Sequence, residues 1–140
     1  MNKVRWSPDM RLGLPCVDVA HEAVLQELER LAGTCDRDFA VEFFRLVDRI
    51  ERDFHEEEAM MEEIDYPGLC AHREQHARLL GALHHVAARV MAGELDIGRE
   101  AVALLPQWLV MHLGTMDTAL ALAWEICEAE RLTTAAPPAR

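Results

Sequence analysis

The sequence predicts an all-α fold, an antiparallel up-down-up-down four-helix bundle with an N-terminal arm, and three observations carry that expectation. Good helix formers dominate a chain in which aromatics make up only 6% and strand-like alternation is almost absent. Four segments repeat apolar residues at the alternating three- and four-residue spacing of a bundle seam. Short turn signals at Gly33, Tyr66-Pro67-Gly68 and Gly93 separate them, and short connections make successive helices antiparallel neighbours.

The first sixteen or so residues have no period and contain two prolines and Trp6, which reads as an arm laid across the bundle with the tryptophan as its anchor. The first helix is expected to start near Asp18 as N-cap, with the seam Val17, His21, Val24, Leu28 and Leu31. Asp36 or Asp38 caps a second helix with the seam Phe43, Val47, Ile50, Phe54, Glu57, Met61 and Ile64. The third runs to about Ala92 through His72, His76, Leu79, Leu83, Val86 and Val90. A fourth follows Asp96 with Val102, Leu105, Leu109, His112, Met116, Ala123 and Ile126 inward, and Pro106 is expected to kink it. Residues 1–132 thus form one domain, and 133–140, with Ala-Ala-Pro-Pro-Ala-Arg and nothing to bury, form a disordered tail.

Polar groups interrupt these apolar rows in one layer. His21, Asp53, Glu57, His72, His76, His112 and Asp117 occupy the seam or its edge, early in helices one and three and late in two and four. Antiparallel packing brings those stretches to the same end of the bundle. Burying such groups unpaired is costly, and a shared metal satisfies them all. His72 and His76, one turn apart, suit adjacent coordination sites on one ion. Asp53 and Glu57 are likewise one turn apart and project from nearly one face. Asp117 lies about 140° from His112 on an ideal helix, so a π-type widening near Gly114 is needed to bring both to one site. Taken singly, an inward histidine is more often a satisfied core residue than a ligand, and Glu56-Glu57-Glu58 alone reads as a solvated charge run. The joint pattern argues for the metal. His55, His84 and His85 read as surface residues without a ligand role; His55, about 200° around the axis from Asp53, faces away when Asp53 faces in.

Composition removes several function classes. A net charge of −11 argues against a nucleic-acid partner. The longest uncharged stretch, Ala101 to Met116, contains Pro106, Gln107 and His112 and falls short of a membrane span, and the N-terminus lacks the apolar run of a secretory signal. The four cysteines, Cys16, Cys35, Cys70 and Cys127, are widely spaced and read as reduced thiols of a cytoplasmic protein.

The chain resembles the bacterial hemerythrins over residues 4 to about 126. The matching text is Trp6, Gly13 and Asp18-x-x-His21; Phe54-x-x-Glu57-Glu58-x-x-Met61; Tyr66-Pro67; His72-x-x-x-His76; and Leu105-x-x-Trp108-Leu109-x-x-His112-Leu113-x-x-x-Asp117. The resemblance implies a four-helix bundle with two carboxylate-bridged non-haem irons that binds dioxygen, or another small diatomic or anionic ligand, for storage, delivery or sensing. It implies that His72, His76 and His112 bind one iron, that Glu57 and Asp117 bridge the pair, and that His21 binds the other. Nothing in it calls for more than a monomer or for catalysis.

One position departs from the family. Where the second iron has a further histidine, immediately before the phenylalanine that here is Phe54, this chain has Asp53. A carboxylate oxygen is an acceptable donor to iron or manganese, and manganese or zinc becomes an option if Asp53 alters the selectivity of the site. An added anion also stabilises the ferric state, so easier oxidation and poorer reversibility of oxygen binding are expected. Two alternatives follow, a di-iron redox enzyme acting on oxygen, peroxide or nitric oxide, and a metal-depleted sensing or interaction module. Phe54, Met60, Met61, Trp108, Leu109 and Leu113 read as core that doubles as a dry wall around the centre.

Overall fold

The computed structural model describes residues 4–135. Helix α1 spans Pro15–Ala32, α2 Asp36–Glu63, α3 Leu69–Met91 and α4 Leu95–His112. A π-helical segment, Leu113–Asp117, then carries α4 without a break into α5, Thr118–Ala135. The rod α4–α5 is the fourth helix of the bundle. Neighbours in sequence pack side by side and α4 closes the ring against α1, as the short turns require. No strand occurs among the described residues.

The apolar core fills the end of the bundle formed by late α1, early α2, late α3 and early α4. Phe39 and Phe43 stack there with centroids 5.8 Å apart, surrounded by Leu28, Leu31, Leu46, Val90 and Val102. Gly98 permits that packing, because a Cβ on it would lie 2.6 Å from Val90 and 2.7 Å from the Phe39 ring. At the same end Arg99 lies over Phe39 and pairs with Asp36 at 2.7 Å, tying the start of α4 to the start of α2. The α3–α4 turn reverses at Gly93, whose φ of +95° is one that glycine adopts without a side-chain clash.

Two helix starts differ from the sequence-based expectation. Helix α1 begins at Pro15, because proline at the first helical position needs no N–H partner. Asp18 therefore sits in the first turn and not at the cap. Its carboxylate turns back to accept from the N–H groups of Leu12 at 2.7 Å and Gly13 at 3.2 Å, which pins the arm. Trp6, with Val4 and Met10, packs against the core as expected of an anchor. Helix α2 begins at Asp36 after Cys35, with Asp36 and Asp38 in its first turn facing the helix dipole and no side chain capping it.

The rod α4–α5 departs most. It remains helical through Pro106, and its pitch changes instead at Leu113–Asp117. The π turn inserts one residue relative to the α-helical count. Beyond it the inward row is therefore Asp117, Leu120, Ala121 and Trp124, one place later than the Met116, Ala123, Ile126 progression, and Ile126 is exposed. Helix α5 includes Thr133–Ala135, which the sequence assigns to the tail. The rest of that tail, 136–140, and the first three residues of the arm lie outside the described residues.

Candidate metal centre

Each segment of the site is aimed by its helix's apolar stripe. Phe54 and Met61 bury the face of α2 that carries Glu57, and His72 and His76 are themselves the buried face of early α3, 0% and 1% exposed. On the fourth rod the π turn rotates Asp117 onto the face of His112, so both are buried. This is the widening that the five-residue interval between them requires.

One donor atom from each of Glu57, His72, His76, His112 and Asp117 lies within 4.8 Å of all the others. The Nε2 atoms of His72 and His76 are each 3.1 Å from Nε2 of His112. Glu57 Oε1 stands 2.6 Å from His72 Nε2 and 3.4 Å from His76 Nε2, and Asp117 Oδ1 stands 3.1 Å from His72 Nε2 and 3.3 Å from His112 Nε2. Despite that closeness, Glu57 Oε1 and both Asp117 oxygens are buried without a hydrogen bond of acceptable geometry. Their lone pairs converge on a common space and are not lined up along N–H directions. Such convergence is unfavourable among the groups themselves and becomes favourable around a cation, so the donor set fits a metal.

Asp117 divides its two oxygens between two groups. Oδ1 faces the three-histidine side, whereas Oδ2 lies 3.0 Å from Nε2 of His21 on α1. His21 and Asp53 stand outside the five-residue cluster but line, with Glu57, His112 and Asp117, a cavity of about 50 Å³. Asp53 is half-buried and its Oδ2 has no partner, nor has Nε of Arg49 one turn earlier. All seven sequence-predicted residues are thus brought to one end of the bundle, five in a tight cluster and two on the cavity beside it.

The electrostatics follow from burial opposed by close partners. Burial works against charging His72, yet Asp117 and Glu57 beside it prevail and lift its pKa to about 9. His112 is raised by the same two carboxylates against the same burial. For Glu57, burial and the neighbouring Asp117 push upward, but His112, His72 and His76 together hold the carboxyl below its ordinary value. Asp117 is held far below the carboxylate range in spite of burial. Asp53 goes the other way, because burial raises it and Arg49 only partly compensates.

Two supporting residues escaped the sequence reading. Gln75 Oε1 accepts from Nδ1 of His112, and Glu58 Oε2 lies 3.3 Å from Nδ1 of His76 while its other oxygen takes Arg73 Nε at 2.8 Å. These contacts fix which imidazole nitrogen faces inward. Both residues adjoin site residues in sequence, but the histidines they hold sit on other helices or other turns, which seam spacing does not encode. Aromatic plates complete the support. Phe54 stacks on His76 at 3.8 Å between centroids and Trp108 on His112 at 4.8 Å, so these two are wall and clamp together. His55, His84 and His85 are exposed, as the sequence indicates.

A helical bundle with a buried His/Glu/Asp cluster of metal-binding character is the class of protein that fold and site define. Comparison with known proteins narrows the class. The chain is 32% identical over 117 residues to a bacteriohemerythrin of Ralstonia nicotianae, covering 84% of this chain and 85% of that protein. It is 32% identical to a bacteriohemerythrin of Stenotrophomonas maltophilia, covering 83% and 78%, and 26% identical to a myohemerythrin of Sipunculus nudus, covering 80% and 86%. No family model matches, and no solved structure matches. The chain belongs to the hemerythrin-like family. No described helix is long and apolar enough to cross a membrane.

Proposed function

We propose that the chain is a non-haem di-iron protein that binds dioxygen for storage, delivery or sensing. His72, His76 and His112 would hold one iron and His21 with Asp53 the second, with the Glu57 and Asp117 carboxylates shared between them. The observation that carries this reading is the division of Asp117, one oxygen toward the three histidines and the other toward His21, which is the disposition of a bridging carboxylate. Ferrous iron held by these residues would supply the reducing equivalents that oxygen binding calls for.

The rest falls to the chain's own residues. Val24, Leu25, Ile50, Phe54, Leu109 and Leu113 wall the cavity beside His21 and Asp53, and its volume of about 50 Å³ has room for a diatomic or a few solvent molecules. Gln75 and Glu58 keep Nε2 of His112 and His76 pointing inward. Exposed free thiols at Cys16, Cys35 and Cys70 accord with a reducing, cytoplasmic location.

A second reading, a redox enzyme that consumes oxygen, peroxide or nitric oxide, is favoured by one observation, the added carboxylate of Asp53 on the cavity side. One experiment separates the two. Iron-loaded, reduced protein is mixed with oxygen and then degassed while the absorption spectrum is followed. Two irons per chain and full return to the starting spectrum over repeated cycles support oxygen binding. Irreversible bleaching, with turnover once a reductant is added, supports the enzyme, and failure to retain iron overturns both.

A further inference from the structure

We infer that the outward face of the fourth rod, α4 with the π turn and α5, is a docking surface for a second copy of this chain, whose own fourth rod packs against it antiparallel. The inference concerns the outside of the bundle and does not rest on the di-metal reading.

The face is defined by what it lacks. From Ala101 to Trp124 the only formally charged residue is Asp117, and it is buried. Leu104, Met111, Thr115, Ala119, Leu122 and Ile126 form one outward stripe, every member exposed and the four large ones more than half so. At the helical rise it is about 33 Å long. Charged residues make up 28% of the chain, so a strip of this length with none on its surface departs from an ordinary solvated helix. Its far end also lacks packing. From Glu125 to Thr134 no residue of α5 is buried and only Cys127 is partly covered, and Arg131 reaches back to pair with Glu63 of α2 at 3.6 Å. A helix of about ten residues alone in water is marginal, so this projecting end gains from lying against another surface.

Charge and register choose the occupant. Each copy carries a net charge of −11, so two copies repel unless they meet where neither presents charge, and this stripe is such a place. An anionic lipid surface is disfavoured, because the stripe holds no Lys or Arg and its α5 end carries Glu125, Glu128 and Glu130 against a single Arg131. The stripe is also its own complement. A two-fold axis beside Thr115, the middle of the π segment, sets Met111 opposite Ala119 and Leu104 opposite Ile126, each contact occurring twice. The rods can approach closely at that crossing, since a Cβ on the neighbouring Gly114 would find no atom within 4 Å. Like charges meet at the ends, where Glu100 of one copy faces Glu130 of the other.

The test follows the mass of the full-length protein, 15.9 kDa as a single chain, by sedimentation from low micromolar to several hundred micromolar concentration. Reversible dimerisation is expected, and it should tighten with added salt, which screens the net charge and the contact of Glu100 with Glu130. Met111→Lys reduces the net negative charge, yet it is expected to weaken association about tenfold or more. Melting of the monomer should not change, because Met111 is exposed. Val41→Lys, at an exposed apolar position of α2 away from the stripe, should leave association as it was. The antiparallel register has its own check. Leu104→Lys and Ile126→Glu should each weaken self-association, and mixing the two variants should restore a dimer, because the new lysine and the new glutamate then face each other. A chain that stays monomeric throughout, a dimer that survives Met111→Lys, equal weakening by Val41→Lys, association that loosens with salt, or no recovery in the mixture overturns the inference. So does binding of a monomeric chain to phosphatidylcholine vesicles, which would give the stripe to a membrane surface.

Discussion

At one end of the bundle Phe39 and Phe43 stack among Leu28, Leu31, Val90 and Val102, with charge only at the rim where Arg99 lies over Phe39 and pairs with Asp36. At the other end the same four rods bury His72, His76, His112, Glu57 and Asp117, with several donor atoms unpartnered. Helix α2 shows the contrast in a single element, Phe39 to Ile50 serving the first end and Phe54 to Met61 the second. The apolar end makes its contacts without help, whereas the polar end brings together groups that repel or desolvate one another. Folding energy is therefore expected to come from the first and to be lent, in the presence of metal, to the second.

The most severe break in that comparison is at the apolar end. Phe43→Ala is expected to lower unfolding free energy by about 3–5 kcal/mol, because a fully buried ring leaves a cavity between α2 and its neighbours. Denaturant titrations should give the same loss with chelator and with metal. A loss that appears only in the apoprotein would mean that the two ends do not divide stability in this way.

Next comes removal of the metal itself. With free metal a hundredfold above its dissociation constant, binding adds about 3 kcal/mol, so chelation should lower the melting temperature by roughly 10 °C. His76→Ala should abolish that increment, since it deletes a buried donor of the cluster. An increment that survives the substitution would place the metal elsewhere.

The two ends were also unequally legible in the sequence. Seam spacing assigns Phe43, Val47, Ile50, Leu83, Val90 and Val102 to the core, and all are buried. The same spacing exposes the metal end by its violations, because Glu57, His72, His76 and His112 fall where oil is expected. Asp117 is legible only by admitting a π turn, and that turn then displaces every later inward position by one residue, which a regular period cannot anticipate. Gln75 and Glu58 are hidden for another reason. Their partners are His112 and His76, across a helix interface, and a solvated charge run such as Glu56-Glu57-Glu58 looks the same whether or not one member turns inward to a histidine. At Asp18 an aspartate before an apolar row signals a cap, and only the fold shows it holding Leu12 and Gly13 of the arm.

Support of the donors should matter less than the donors. Gln75→Ala removes the acceptor of His112 Nδ1 and is expected to weaken metal affinity about 10–100-fold while leaving apoprotein melting nearly unchanged, since Gln75 is only partly buried. Competition against a chromophoric chelator measures the first and calorimetry the second. Equal loss in both would make Gln75 a packing residue.

The smallest effect is a dependence on pH confined to the metal end. His72 has its folded pKa raised to about 9 from an ordinary 6.5, so its protonation stabilises the apoprotein fully below 6.5 and that contribution is lost as pH climbs through 9. Metal needs the same nitrogen deprotonated, and its binding releases the proton. The melting-temperature difference between loaded and apo forms should therefore widen from about pH 6.5 to about pH 9, while the loss caused by Phe43→Ala stays constant over that range because Phe43 packs in the apolar cluster. A difference that stays flat across the window would show that protons and metal do not compete for His72, and with it the polar end would lose its claim to be the part of the bundle that folding leaves unsatisfied.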